Sequence, residues 1–277
     1  MISVDEALRK ILEETIVLAA EETALLEAVE RIVAKDILAR EDLPSFDNSA
    51  MDGYAIKVKD LAGASKSNPA ALKLKETVRA GAKAQSELRE GEAIRIMTGA
   101  PMPLGGEAVV MKEHAEQVNG NGLVRIWRKV VAGENVRPRG EDIQAEQLLI
   151  KKGTLIRPYE VALLAAQGIT KVPVVKQPRL GVVATGDELV GASQESLKYG
   201  QIRNSNTPAI CAALKRWGAL PIDFGAIGDD PRKLQEKFQQ ALEFADILIV
   251  SGGVSVGDFD HTKATLEAML SQFKYPL

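Results

Sequence analysis

The stretch RLGVVATGDEL, residues 179–189, is where the fold of this chain becomes readable. Seven residues, RLGVVAT, form a short apolar run with β-branched Val182, Val183 and Thr185, bounded by Pro178 and Gly186. A run that short between turn signals reads as a strand buried on both faces. Helices and further strands alternate after it. A helix has its first position at Pro208, is capped by Asn206 or Thr207, carries an apolar stripe of Ile210, Ala213, Leu214 and Trp217, and stops at Gly218. LPIDFGAI at 220–227 is a second strand. Asp230-Pro231 opens a second helix with Leu234, Phe238, Ala241 and Leu242 facing inward. ADILIVS at 245–251 is a third strand, and residues 262–273 a third helix. Strand and helix in alternation imply a parallel sheet with right-handed crossovers.

In such a sheet, ligands bind beyond the carboxyl ends of the strands. Here those ends carry TGDEL (185–189), GDD (228–230) and SGGVSVGDFDHTK (251–263), so Asp187, Glu188, Asp229, Asp258 and Asp260 are expected on one rim. Carboxylates gathered on one rim repel each other unless a cation joins them, and Mg²⁺ shared with substrate phosphates is the usual solution. Asp229 and Asp260 are the candidate metal ligands. Gly252 and Gly253 let backbone N–H groups approach an anion, and Ser251, Ser255 and Gly257 extend the same loop. Lys263 stands in the first turn of the last helix, against the helix dipole, as if answering a ligand charge. Each feature also has a plain structural reading. Asp230 suits a helix N-cap, Asp187-Glu188 a solvated turn, Gly252-Gly253 a tight turn, Asp258 and Asp260 caps of the last helix, and Asn206 a capping signal. The functional reading rests on three acidic loops coinciding on one edge.

The rest of the chain has a different texture. Ser3 with Glu6 forms a capping box for an amphipathic helix from residue 4 to about 20. Residues 23–40 mix a short helical pattern with a strand. From 55 to 131, short β-type runs (AIKV, ALKLKETV, EAIRIM, EAVVMKE, LVRIWRKV) are separated by turns such as GAPMPLGG and NGNG. GTLIRPYEVALLAAQGI at 153–169 reads as a strand, a helix opened by Pro158, and a stop at Gly168. SFDNSAMDGYAI, residues 45–56, sits where the N-terminal region hands over to the β-rich part. Phe46, Met51 and Tyr54 are expected to anchor that junction and hold Asp52 in place. Composition narrows the function. In 277 residues, Lys+Arg number 35 against Asp+Glu 38 and aromatics make 4%, so no basic field or stacking platform points to nucleic acid. One cysteine, Cys211, and two histidines argue against a disulfide framework or a zinc cage. No apolar run reaches the ~18 residues of a membrane helix and the N-terminus lacks a signal-peptide core, so a cytoplasmic protein without membrane partners is expected.

Six motifs in order, SFDNSAMDGYAI, RIMTGAPMP, RGEDI, VVATGDEL, GQIRNSNTPAI and SGGVSVGDFDHTK, resemble the molybdopterin molybdenumtransferases of the MoeA type, relatives of the gephyrin E domain. The match runs from residue 3 to about 270. It implies an α/β multi-domain protein: a helical and extended linker domain (residues 1–44 with 140–177), a β-rich inserted domain (45–139) and a parallel-sheet α/β molybdopterin-binding domain (178–277). It implies insertion of molybdate into adenylylated molybdopterin with Mg²⁺-dependent release of AMP. It also implies a homodimer whose site is shared between subunits, with molybdopterin adenylyltransferase and molybdoenzymes as further partners. The family's functional acids fall on Asp52, Asp142, Glu188, Asp229 and Asp260, and its threonine on Thr98. Substrate-binding positions fall on Asp187, Asn206, Ser251, Gly252, Gly253, Ser255, Gly257 and Lys263. Family members continue past residue 277 into a lysine- and proline-rich loop, more α/β structure and a β domain. On the resemblance this chain is a C-terminally truncated member with an incomplete α/β domain. A module that binds molybdopterin nucleotide without turnover is the alternative to an enzyme; a gephyrin-like scaffold is weaker.

Overall fold

The computed structural model describes residues 2–118, 122–253 and 261–272. They fall into two compact units, one of Met1–Lys35, Lys152–Ala165 and Ile169–Leu277, the other of Asp36–Lys151 and Ala166–Gly168.

In the second unit six strands form a mixed sheet in the order Ala108–Met111, Gly53–Ile56, Glu92–Ile96, Ala70–Val78, Leu123–Ile126, Ala115–Val118. Only Ala70–Val78 and Glu92–Ile96 run parallel; every other neighbouring pair is antiparallel. Each β-type run expected from the sequence supplies a strand of this sheet, though AIKV ends at Ile56 and LVRIWRKV at Ile126; the strand Ala115–Val118 was not expected, and the turn residues 119–121 lie outside the described residues. Gly53–Ile56 is paired along both edges and all four of its residues are buried. Its side chains alternate between two cores. Tyr54 and Ile56 pack with Leu72, Val110 and Ile126, and Ala55 with Leu88, Ile94 and Val109. At Gly53 a Cβ would stand 1.9 Å from the Val110 carbonyl oxygen, so glycine alone allows this strand to lie so close to its neighbour.

The anchoring of residues 45–56 differs from expectation. Tyr54 is buried, but Phe46 and Met51 are 46% and 41% exposed. The buried residues are the polar Asn48 and Ser49, which pair with Arg137 and Val136. Main-chain bonds hold the segment instead: Ser49 N–H donates to Ala100 O at 3.0 Å, Gly99 N–H to Ser49 O at 2.8 Å and Ala50 N–H to Asn135 O at 2.9 Å. The Ser49 hydroxyl donates to Met51 O at 2.6 Å. A short polar side chain can be buried where its own backbone supplies the partner.

In the first unit the predicted alternation is present. Leu220–Ile227, Arg179–Thr185 and Ile247–Ser251 form a parallel sheet in that order. Leu180 and Val182 pack against Leu214 of the helix Asn206–Arg216 on one face. Val183 packs on the other face against Leu234, Phe238 and Ala241 of Pro231–Phe244 and Met269 of His261–Gln272. Asp230 caps its helix, accepting from Arg232 N at 2.9 Å and Lys233 N at 3.2 Å. Some details depart from expectation. The helix of residues 206–216 is not capped by Asn206 or Thr207; Asn204 just ahead accepts from Thr207 N at 3.1 Å. Trp217 lies past the helix end and is 77% exposed, and Leu242, at the edge of its stripe, is 45% exposed. The first helix is Val4–Glu14, shorter than expected, because Thr15 turns extended. Ala20–Ala24 is instead a strand antiparallel to Lys171–Val175. The helix Pro158–Ala166 opens and stops as read, but Leu155 ahead of it makes only an isolated bridge to Ile32.

Gly53→Ala is expected to destabilise the protein by about 3 kcal/mol or more, since its Cβ meets backbone that cannot move without breaking the sheet. Gly63→Ala, where a Cβ meets nothing within 4 Å, is the control. Urea denaturation should separate the two midpoints; equal midpoints would refute the close-approach argument.

Candidate functional site

The carboxyl edge of the parallel sheet is built from loops whose backbone and acids interlock. Asp187 Oδ1 accepts from Asp229 N at 3.3 Å, joining the first and second acidic loops. A Cβ at Gly228 would come 2.3 Å from Asp187 Oδ1, so the glycine admits that carboxylate. Glu188 folds back over Gly186, where a Cβ would lie 2.6 Å from its carboxylate. Among the described residues Asp187, Glu188 and Asp229 have no ion-pair partner. Beside them a cleft of about 220 Å³ is lined by Thr185, Glu188, Arg203, Asn204, Asn206, Ser251 and Gly252 among others. Asn206 Nδ2 donates to Ser251 Oγ at 3.0 Å, so two residues 45 positions apart meet at the cleft. Asn204, not anticipated from sequence, is buried and also donates through Nδ2 to Thr207 Oγ1 at 2.9 Å.

Gly252 and Gly253 both take positive φ, +102° and +61°, and press against Thr185. The hydroxyls of Thr185 and Thr262 are buried and have no hydrogen-bond partner among the described residues. Such groups are uncommon in folded proteins and cost stability. Thr185, the residue immediately before Gly-Asp-Glu, was readable only as a strand residue in the sequence. Lys263 forms an intrahelical pair with Glu267 at 3.8 Å. Ser255, Gly257, Asp258 and Asp260 lie outside the described residues. Among the described residues no group of three or more His, Cys, Asp or Glu side chains is gathered to hold a metal ion. A Mg²⁺ that keeps waters and shares substrate phosphates needs only one or two carboxylates, and Asp187 with Asp229 fits that donor set.

In the other unit Asp52 and Thr98 come together. Asp52 Oδ1 accepts from both the backbone N–H and the hydroxyl of Thr98, each at 2.9 Å. These bonds, the backbone one first, hold the Asp52 carboxyl below its ordinary pKa, with the Lys112 ammonium adding to the effect. Asp142 is ion-paired with Arg137 at 2.5 Å. Arg137 also reaches Glu141 at 3.2 Å, and the two carboxylates raise its pKa. Nearby, Asp42 accepts from Ala145 N at 2.8 Å and from Arg139 Nε at 2.6 Å, and sits below the ordinary carboxyl range.

Thr98→Val keeps the backbone bond to Asp52 and removes the hydroxyl bond, so the Asp52 midpoint should rise toward its ordinary value in a ¹³C carboxyl NMR titration. Because the folded midpoint lies below the unfolded one (about 3.9), these bonds contribute stability above that pH. The contribution fades as pH falls through the folded midpoint. An unmoved midpoint would mean the hydroxyl does not hold the carboxylate. Thr185→Val replaces an unpartnered hydroxyl by a methyl of similar size and should stabilise the protein by about 1 kcal/mol. A lower unfolding midpoint would show that the hydroxyl has a partner in solution.

Comparison with known proteins agrees with this architecture. Residues 2–168 match the family described as MoeA N-terminal region (domain I and II), and residues 181–274 match the probable molybdopterin binding domain. The molybdopterin molybdenumtransferase of Bacillus subtilis is 40% identical over 270 residues, covering 97% of this chain and 63% of that protein. That of Staphylococcus aureus is 36% identical, covering 98% of this chain and 64% of that protein. A crystal structure of a molybdopterin biosynthesis MoeA protein from Pyrococcus horikoshii superposes with a TM-score of 0.84 at 35% identity, over 91% of this chain and 66% of that one. The chain thus spans less than two thirds of the length of each of these relatives. With one family model matching residues 2–168 and another residues 181–274, this chain belongs to the MoeA family.

Proposed function

We propose that this chain acts in molybdenum cofactor biosynthesis as a molybdopterin molybdenumtransferase, inserting molybdate into adenylylated molybdopterin with Mg²⁺-dependent release of AMP. The observation that carries the reading is the carboxyl edge of the parallel sheet. There Asp187, Glu188 and Asp229 stand without cationic partners among the described residues, beside the Asn206–Ser251 cleft. Releasing AMP from adenylylated molybdopterin breaks a phosphoanhydride. An oxygen nucleophile attacks the adenylyl phosphorus, the new P–O bond stays with AMP, and the molybdopterin phosphate leaves with the electron pair of the broken bond. That chemistry asks for alignment and charge neutralisation rather than a covalent intermediate.

The residues take their parts accordingly. Glu188, folded over Gly186 at the cleft, orients the attacking oxygen and accepts its proton. The Asn206 amide and Ser251 hydroxyl bind polar edges of the substrate, and the Gly252 and Gly253 backbone lies flat for a phosphate to approach. Asp229, with Asp187 or Asp260, would hold Mg²⁺, which when bound neutralises phosphate charge. Asp52, Thr98 and Asp142 position substrate from the β-rich unit. We further propose the three-domain division at residues 44/45, 139/140 and 177/178, a cytoplasmic homodimer with its site shared between subunits, and exchange of substrate and product with molybdopterin adenylyltransferase and molybdoenzymes.

The test is to incubate the purified chain with adenylylated molybdopterin, molybdate and Mg²⁺ and follow AMP. Catalytic AMP release is expected, and Glu188→Ala should reduce it at least about a hundredfold, within the range of general acid–base contributions, with unchanged circular dichroism. Stoichiometric binding without AMP release would make the chain a binding module instead, and an unaltered rate in Glu188→Ala would remove that residue from the mechanism.

A further inference from the structure

Asp52 uses its two carboxylate oxygens unequally. Oδ1 carries both Thr98 bonds. Oδ2 faces the Lys112 ammonium at 3.7 Å, longer than a hydrogen bond. Lys112 stands there because the backbone puts it there. Its N–H donates to the Asp52 carbonyl at 3.0 Å, and the preceding Met111 is paired with Gly53. The Lys112 side chain is 58% exposed, so the ammonium can move off Oδ2 toward a third group.

An anionic substrate brought to a fixed carboxylate is repelled unless a cation stands between them. Among the described residues Lys112 is the cation in contact with Asp52. We propose that Lys112 is a substrate-binding residue of the Asp52–Thr98 site, offsetting the Asp52 charge and donating to a tetrahedral oxyanion, a phosphate ester or molybdate. This rests on the molybdenumtransferase reading and adds to it a residue outside the six motifs that carry the resemblance. A structural role is a poor alternative: an exposed pair at this distance contributes little to stability, and the strand pairing of Met111 runs through backbone.

Isothermal titration calorimetry of the full chain with sodium molybdate and, separately, with AMP, at low and high salt, tests the inference. Lys112→Met should weaken at least one of the two anions about tenfold and flatten its salt dependence, while Lys112→Arg keeps most of the affinity. The anion that responds identifies the source of the oxyanion. All variants should keep the same unfolding midpoint. Equal affinity of unsubstituted and Lys112→Met protein for both anions overturns the inference. So does absence of binding by the unsubstituted chain, in which case AMP release from adenylylated molybdopterin still decides the underlying reading on its own.

Discussion

A strand that is hydrogen-bonded along both edges and covered on both faces has no room for a charge, and both units are organised around one. In the β-rich unit it is Gly53–Ile56, and in the parallel-sheet unit Arg179–Thr185. Polar groups are forced to the strand ends, where the ladder stops and side chains regain solvent. Asp52 immediately precedes the first strand, and Gly186-Asp187-Glu188 immediately follow the second. The candidate functional groups are therefore set by where the buried strands begin and end. The close approach at Gly53 and the two-sided packing of Val182 and Val183 hold those ends still.

At the parallel-sheet edge the same economy recurs in the glycines. Gly186 and Gly228 are the places where carboxylates lie against backbone, and Gly252 and Gly253 the places where backbone lies against Thr185. Any side chain there would displace an acid or the neighbouring strand end. Their arrangement is a packing requirement of the rim as much as a permission for unusual φ. Among the described residues this rim presents Asp187, Glu188 and Asp229 without salt bridges, with Asp187 tied to the Asp229 backbone.

The alternation of strand and helix after residue 178 was legible because each element is amphipathic or uniformly apolar in its own period, and Asp230-Pro231 carries its capping chemistry in two residues. The order of the six-stranded sheet was not, since periodicity marks strands but not partners. That order brings Thr98 and Lys112 to Asp52. Gly53 pairs with Ile96 on one side and Met111 on the other, so in antiparallel ladders Thr98, two residues past Ile96, and Lys112, next after Met111, arrive beside Asp52. Thr98 was reachable through family resemblance, whereas Lys112 stood in the sequence only as part of the β-type run EAVVMKE. Residues 45–56 misled for a related reason. Hydrophobicity nominated Phe46 and Met51 as anchors, but Asn48 and Ser49 are buried because backbone bonds satisfy them, and that needs a partner strand from residues 136–137.

The acids of the two units also differ in charge balance. Asp52 has Lys112 and Asp142 has Arg137. Asp187, Glu188 and Asp229 have no such partner among the described residues; Asp187 is tied to the Asp229 loop through a backbone N–H. Unpaired carboxylates repel an incoming anion unless a cation stands between them. At neutral pH, beside a phosphate-bearing substrate that brings further negative charge, a divalent cation is the effective remedy. The charge imbalance at this rim is what supports the proposed Mg²⁺ dependence; among the described residues no preformed cage is gathered there. The compensated acids of the β-rich unit, with their cations already in place, are suited to holding a ligand's orientation instead of gathering metal.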